Sequence, residues 1–170
     1  MKFTCSQKEL SKALNTVSKA VSARTTSPIL KGILLQTQAD GTLTLSASDL
    51  DLSIEKNIPV NVESEGSIVV LSKLFVDIIR KLPNEEILIE EQENNTILIK
   101  TASSEFSIVG LSSEEFPKIT DIDGDKQELY FNRELFKSMV KRTSFAASID
   151  ESKGVIVGIL MEIDVDQINM

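Results

Sequence analysis

The stretch Arg24-Thr25-Thr26-Ser27-Pro28-Ile29-Leu30-Lys31-Gly32-Ile33-Leu34-Leu35 largely comes back later in the chain. Its second half aligns with Val155-Ile156-Val157-Gly158-Ile159-Leu160-Met161, with glycine in the same slot, at an offset of 126 residues (29 to 155). An amphipathic helix pattern precedes each copy and a short acidic turn follows it. A repeat of this length makes each copy one structural module. The second copy stops early, at Met170.

With 170 residues and 41% hydrophobic content, the chain can build a proper core and is not of disordered composition. No apolar run approaches the roughly 18 residues of a membrane span. The start, Met1-Lys2-Phe3-Thr4, leads into a charged helix and is not a secretory signal, so a cytoplasmic location is expected. One cysteine, Cys5, and no histidine exclude an internal disulfide, a cysteine zinc site and histidine chemistry. The net charge of −8 argues globally against nucleic-acid binding, but segregated charge matters more than the total.

Lys2–Cys5 reads as a short strand with Phe3 and Cys5 on one face. From Ser6 to Val21, Leu10, Ala13, Leu14, Val17, Ala20 and Val21 give a one-sided helix. Ser6 and Glu9 have the spacing of a capping box. Lys8, Lys12 and Lys19 share the opposite face. Pro28 begins an extended segment, and Gly32–Gln38, Thr42–Ser48 and Leu50–Lys56 read as strands, the first two joined at Asp40-Gly41. Leu43, Leu45 and Ala47 alternate, which predicts one buried and one wet face.

Residues 58–64 are expected to be extended, and Ser67–Leu71 is a strand. Ser72 is the expected cap of a second helix that ends before Pro83. Its core face is Leu74, Phe75, Ile78, Ile79 and Leu82, and its outer face Lys73, Asp77, Arg80 and Lys81. Strands follow at 87–92, 96–102 and 105–109, then a polar linker. The pattern restarts with a strand at 128–131, an Asn132 cap and a third helix. Leu135, Phe136, Met139, Val140 and Thr143 face inward there, and Arg133, Lys137 and Lys141 form a stripe. On one helix, a basic stripe reads as a solvated face. Three such helices in a net acidic chain, with most of the carboxylates in strands and loops, point to contact with something negative.

Asp49 and Asp51, two apart in a strand, have the geometry of a magnesium pair for phosphoryl transfer. No third carboxylate or substrate-orienting group accompanies them, which favours a polar strand edge or turn cap. Asp121, Asp123 and Asp125 imitate part of a calcium loop, but the glycine is one position early and the bidentate glutamate is missing. There is no phosphate loop, nucleophile elbow or Cys/His set.

Met1–Thr4, the Ser27–Leu35 segment, Ser48-Asp49-Leu50-Asp51, the run Phe75–Pro83 and Glu115-Phe116-Pro117 resemble the bacterial DNA polymerase III beta subunit family, the sliding clamps. The likeness covers essentially the whole chain. One departure is Ser48-Asp49-Leu50-Asp51, where the family often has Thr-Asp-Leu-Glu. The resemblance implies an α+β DNA clamp fold, in which repeated modules pack two helices on antiparallel sheets and the helices line a hole around duplex DNA. It divides the chain into a complete first module (1–118), a linker (119–127) and the start of a second (128–170).

It further implies a non-catalytic processivity factor that needs no cofactor or metal. Arg24 matches a DNA-contacting loop position, Lys12, Lys73 and Arg80 match channel-facing helix positions, and Lys153 keeps a basic residue beside Asp150, itself a departure from a polar, uncharged position. Family members carry three modules and close as a head-to-tail homodimer. Phe106 and Ile108 match the dimer edge. Ile156 matches a wall of the groove that takes peptides of the polymerase catalytic subunit and the clamp loader. A fragment of such a clamp is therefore expected, forming no stable ring. The competing readings are a metal-dependent phosphoryl-transfer enzyme using Asp49 and Asp51, and a structural repeat module whose basic helices face only solvent.

Overall fold

The computed structural model describes residues 1–22, 25–119, 129–164 and 167–170, with backbone alone at Glu151. These fall in two compact units, Met1–Thr120 and Asp121–Met170.

The first unit has ten strands and two α-helices among its described residues: β1 (Lys2–Ser6), α1 (Gln7–Val17), β2 (Gly32–Gln38), β3 (Thr42–Ser48), β4 (Ser53–Pro59), β5 (Asn61–Ser64), β6 (Gly66–Leu71), α2 (Ser72–Lys81), β7 (Glu86–Gln92), β8 (Thr96–Lys100), β9 (Glu105–Val109) and β10 (Leu111–Ser112). They form two antiparallel five-stranded sheets, ordered β5-β1-β7-β8-β9 and β10-β6-β2-β3-β4. Both sheets and both helices feed one core. Leu10, Leu14 and Val17 of α1 and Phe75 and Ile79 of α2 are fully buried in it, with Phe3, Ile33, Leu35, Leu43, Leu45, Ile87 and Ile89 from the strands. Burying each such side chain is worth roughly 1.5–3 kcal/mol, so the helices hold the sheets together as much as the sheets hold the helices.

Several sequence expectations need correction. The capping box does not form: Ser6 makes no side-chain cap bond, and α1 gives way to a 3-10 turn at Ser18–Ala20. Ser72 is not the cap of α2 but its first residue, buried, with Leu71 before it. Pro28 is helical, not extended (φ −60°, ψ −34°), and starts a 3-10 turn, Ile29–Lys31. The strand expected from Leu50 begins only at Ser53. The outer face of β3 is not wet either, because Thr44, Ser46 and Ser48 are buried as well. Their hydroxyls pair locally, with Gln38 Nε2 donating to Thr44 Oγ1 (3.1 Å), Ser46 Oγ to Glu55 Oε2 (3.2 Å) and Ser53 Oγ to Ser48 Oγ (2.8 Å). The segment Ser113–Ile119, with Phe116 buried, flanks this face beside Leu34 and Gln36.

From its helix onward, the second unit repeats part of the opening of the first. Its helix α3 (Arg133–Thr143) has the 11 residues of α1, at the same 126-residue offset. A 3-10 turn follows each helix, Ser18–Ala20 and Ser144–Ala146. Ser22 N–H donates to Leu30 O at 3.1 Å, and Ser148 N–H to Ile156 O at 2.9 Å. Gly32 (φ −97°, ψ 170°) and Gly158 (φ −99°, ψ 169°) share one conformation. At Gly32 a Cβ would run into Val69 Cγ1 on β6 and stand 3.1 Å from Val70 O, which explains the glycine. At Gly158 the nearest atom would be Val155 O, at 3.6 Å. A short hairpin, β11 (Glu162–Ile163) with β12 (Ile168–Asn169), continues the copy.

Asn132 caps α3 as expected, accepting from the N–H groups of Glu134 and Leu135. The strand expected at 128–131 is not seen: residues 129–131 are irregular, and Glu128 lies outside the described residues. The inward face of α3 is half-buried at Phe136, Met139, Val140 and Thr143, and exposed at Leu135. Phe131 stacks on Phe136, with ring centroids 5.1 Å apart.

Cys5 is buried on β1, and burial, helped by the carboxylates of Glu9 and Glu86, pushes its thiol up to about 12. Since only the thiolate is nucleophilic, Cys5 should resist disulfide-exchange reagents in the native chain and react once urea unfolds it. Phe75→Ala should lower the unfolding free energy by about 3–5 kcal/mol, read from the urea midpoint by circular dichroism.

Candidate nucleic-acid interface

The apolar stripes of α1 and α2 face the core, so their charged residues are left outside. Lys8, Lys12, Lys19, Lys73 and Arg80 are all exposed. Ion pairing on the molecule's surface explains where the charge is free. Lys2 lies 2.9 Å from Glu63 and 3.9 Å from Glu90, and Lys100 lies 3.6 Å from Glu105. The bond to Glu63 first, then the charges of Glu63 and Glu90, raise the Lys2 ammonium above its usual value. These strand cations are matched by carboxylates. Among the described residues, Lys8, Lys12, Lys19 and Lys73 belong to no such pair. Arg80 does, with Nη2 2.8 Å from Asp77 Oδ1, so a phosphate there would compete with Asp77.

The other anticipated positions scatter. Arg24 lies outside the described residues. Lys153 belongs to the second unit, in the turn capped by Asp150, whose Oδ1 accepts from Ser152 N–H and Oγ–H. Those bonds hold the Asp150 carboxyl below its usual range. Arg133 is exposed but paired with Glu134 at 2.7 Å. Lys137 and Lys141 are exposed on α3.

Asp49 and Asp51 do not share a strand face. They sit in the β3–β4 turn, where Asp49 Oδ1 accepts from the N–H groups of Asp51 (3.1 Å) and Leu52 (2.7 Å). Asp49 is thus a turn cap, engaged by backbone donors. Among the described residues, no three His, Cys, Asp or Glu side chains come together to hold a metal. The Asp121–Asp125 run lies outside them. Leu50, between the two aspartates, has φ 82°, in the left-handed region.

A second surface was missed in the sequence. Leu74 is 48% exposed rather than in the core, and Ile78 is half-buried. With Leu82 and Phe106 they line a groove of about 370 Å³ between α2 and β9. Phe106 is 40% exposed on β9, the terminal strand of its sheet, whereas Ile108 on the same face is buried. The signal was present: of the six apolar residues between Leu74 and Leu82, Leu74, Phe75, Ile78, Ile79 and Leu82 make a stripe wider than one core face uses. Ile156 is exposed in the second unit and lines a groove with Thr143, Leu160 and Met170.

Comparison with known proteins gives these surfaces a context. Residues 1–120 match the model of the DNA polymerase III beta subunit, N-terminal domain. The beta sliding clamp of Halalkalibacterium halodurans is 39% identical over 159 residues, 89% of this chain and 41% of that protein. The structure of the Bacillus subtilis DNA polymerase sliding clamp superposes with a TM-score of 0.83 at 35% identity, over 90% of this chain and 42% of that one. The Bartonella birtlesii sliding clamp gives 0.88 at 30% identity, over 98% and 44%. The fold is therefore the α+β clamp fold, two helices packed on paired antiparallel sheets. The chain spans less than half the length of these relatives. It belongs to the DNA polymerase III beta subunit family.

Asp49→Ala should cost about 1 kcal/mol of stability by removing the acceptor for two backbone N–H groups. Leu50→Gly should raise stability by about 0.5–1 kcal/mol through relief of its positive φ. Magnesium should leave the melting temperature of both variants and of the wild type unchanged; a metal-dependent rise abolished by Asp49→Ala would restore the phosphoryl-transfer reading.

Proposed function

We propose that this chain is part of a DNA sliding clamp, a non-catalytic processivity factor that encircles duplex DNA and tethers the replicative polymerase. One observation supports this above all: among the described residues of this net acidic member of the family, Lys8 and Lys12 on α1 and Lys73 on α2 stand exposed with no carboxylate partner. The division proposed is a complete first module over 1–118, a linker over 119–127 and the opening of a second module from 128. Lys12, Lys73 and Arg80 contact phosphates, with Arg24 and Lys153 adding to them from loops. Such contacts position the duplex without reading its sequence, and their strength falls steeply with salt.

In the whole clamp, β9 is the homodimer edge. It carries exposed Phe106, with Ile108 anchoring the strand in the core, whereas the opposite edges are defended by Glu55, Lys56 and Pro59 on β4 and Glu63 on β5. Ile156 borders the hydrophobic groove for peptides of the polymerase catalytic subunit and the clamp loader. No helix among the described residues is long and apolar enough to cross a membrane, and a cytoplasmic site of action fits a replication factor.

The test is charge reversal at Lys12 and Lys73. The wild-type chain should hold short duplex DNA weakly at low salt, regardless of sequence. The double variant should lose that binding and flatten the log K against log salt slope by about 0.9 for each phosphate no longer neutralised. Unchanged binding would favour helices that face only solvent.

A further inference from the structure

Pro83 stands four residues after Ile79, and proline has no backbone N–H, so the helical bond to Ile79 O cannot form. The carbonyl is nevertheless satisfied. The buried Gln7 side chain reaches across from the other helix, and its Nε2 donates to Ile79 O at 2.8 Å. Gln7 is the first residue of α1, and its own N–H donates to Glu85 O at 3.0 Å. One residue thus ties the start of α1 to the last turn of α2 and to the segment beyond it.

Among the described residues, no other side-chain hydrogen bond joins these helices: Thr16 bonds to Lys12 and Arg80 to Asp77, each within its own helix. What the helices otherwise share is the core of Leu10, Leu14, Phe75 and Ile79, and apolar burial is non-directional. It holds the helices together and limits how far one slides along the other only through the fit of side chains. A buried amide–carbonyl bond with a narrow range of length and angle sets it more closely. In the repeat, Arg133 stands where Gln7 does and is engaged by Glu134 instead, so the tie belongs to the first unit.

We propose that Gln7 is a positioning residue that holds the two basic helices in one register, and so sets the spacing at which Lys12, Lys73 and Arg80 meet phosphates. The second half of this statement rests on the clamp reading; the first does not. The test uses the 170-residue chain with two substitutions. Gln7→Met keeps the bulk and removes the donor. Gln7→Glu places a carboxylate against the carbonyl near neutral pH, where it cannot donate. Once protonated, the acid donates again, and burial together with this bond raises its folded pKa above the unfolded value. The tie in this variant is therefore present at low pH and lost as pH rises through the folded pKa.

Electron–electron dipolar couplings between spin labels carried on α1 at Asn15→Cys and on α2 at Lys81→Cys, both exposed positions, read the register of the two helices. Expected are altered couplings in Gln7→Met at every pH, and wild-type couplings in Gln7→Glu that appear only on acidification. Gln7→Met should also flatten the salt dependence of duplex binding by about 0.9 for each phosphate that drops out of reach, with every lysine still in place. Wild-type couplings in Gln7→Met, or no recovery of Gln7→Glu on acidification, would overturn the tie. If Gln7→Met fails to fold, the pH series of Gln7→Glu decides alone. Altered couplings with an unchanged salt slope would confine Gln7 to architecture and overturn the second half. Loss of all duplex binding by the wild type would instead remove the clamp reading, while the couplings still judge the tie.

Discussion

Everything in the first unit depends on two helices burying one face each against the same pair of sheets. Leu10, Leu14, Phe75 and Ile79 lose all their exposure there. Because those stripes are fixed inward by the hydrophobic effect, whatever stands opposite them is fixed outward. The placement of Lys12 and Lys73 is thus a by-product of core packing. No dedicated loop or strained rotamer is needed to present the charge. Of the strand lysines, Lys2 and Lys100 are matched by carboxylates beside them, whereas Lys56 on β4 is in no ion pair among the described residues.

The second unit shows the dependence from the other side. Phe136, Met139 and Val140 occupy the places of Leu10, Ala13 and Leu14, yet none is buried. The local program of helix, 3-10 turn, glycine and hairpin forms in both copies. Full burial of the helix stripe is seen in the first unit. Local sequence suffices for the turns, while the buried stripe of the first unit packs against two sheets.

This contrast also sorts what was legible in the sequence. The repeat, the three helices, the Asp40-Gly41 turn and the Asn132 cap rest on short-range chemistry, and all are present. The misreadings came where distant groups competed with local ones. Ser6 had a capping box available, but it closes β1 and pairs there with Glu86 of β7. Leu50 and Leu52 looked like the start of a strand, but Asp49 gathers their neighbourhood into a turn. Leu74 looked like core because hydropathy cannot tell a buried face from a groove. Of the candidate site residues, the helical lysines were readable from periodicity. The pairing of Arg80 with Asp77 was readable only from their i, i+3 spacing.

The order of strands has a kinetic consequence. The β7–β8–β9 meander closes through neighbouring turns, with Asn94 and Asn95 both at positive φ. By contrast, β1 must find β7, its partner roughly eighty residues away, with Lys2 opposite Glu90 and Ser6 opposite Glu86. At about 5–20 residues per second, a ribosome needs several seconds to deliver that partner. Until then Phe3 and Cys5 lack the strand they will pair with, and the edge of β1 that β7 will occupy stays open to any other extended chain.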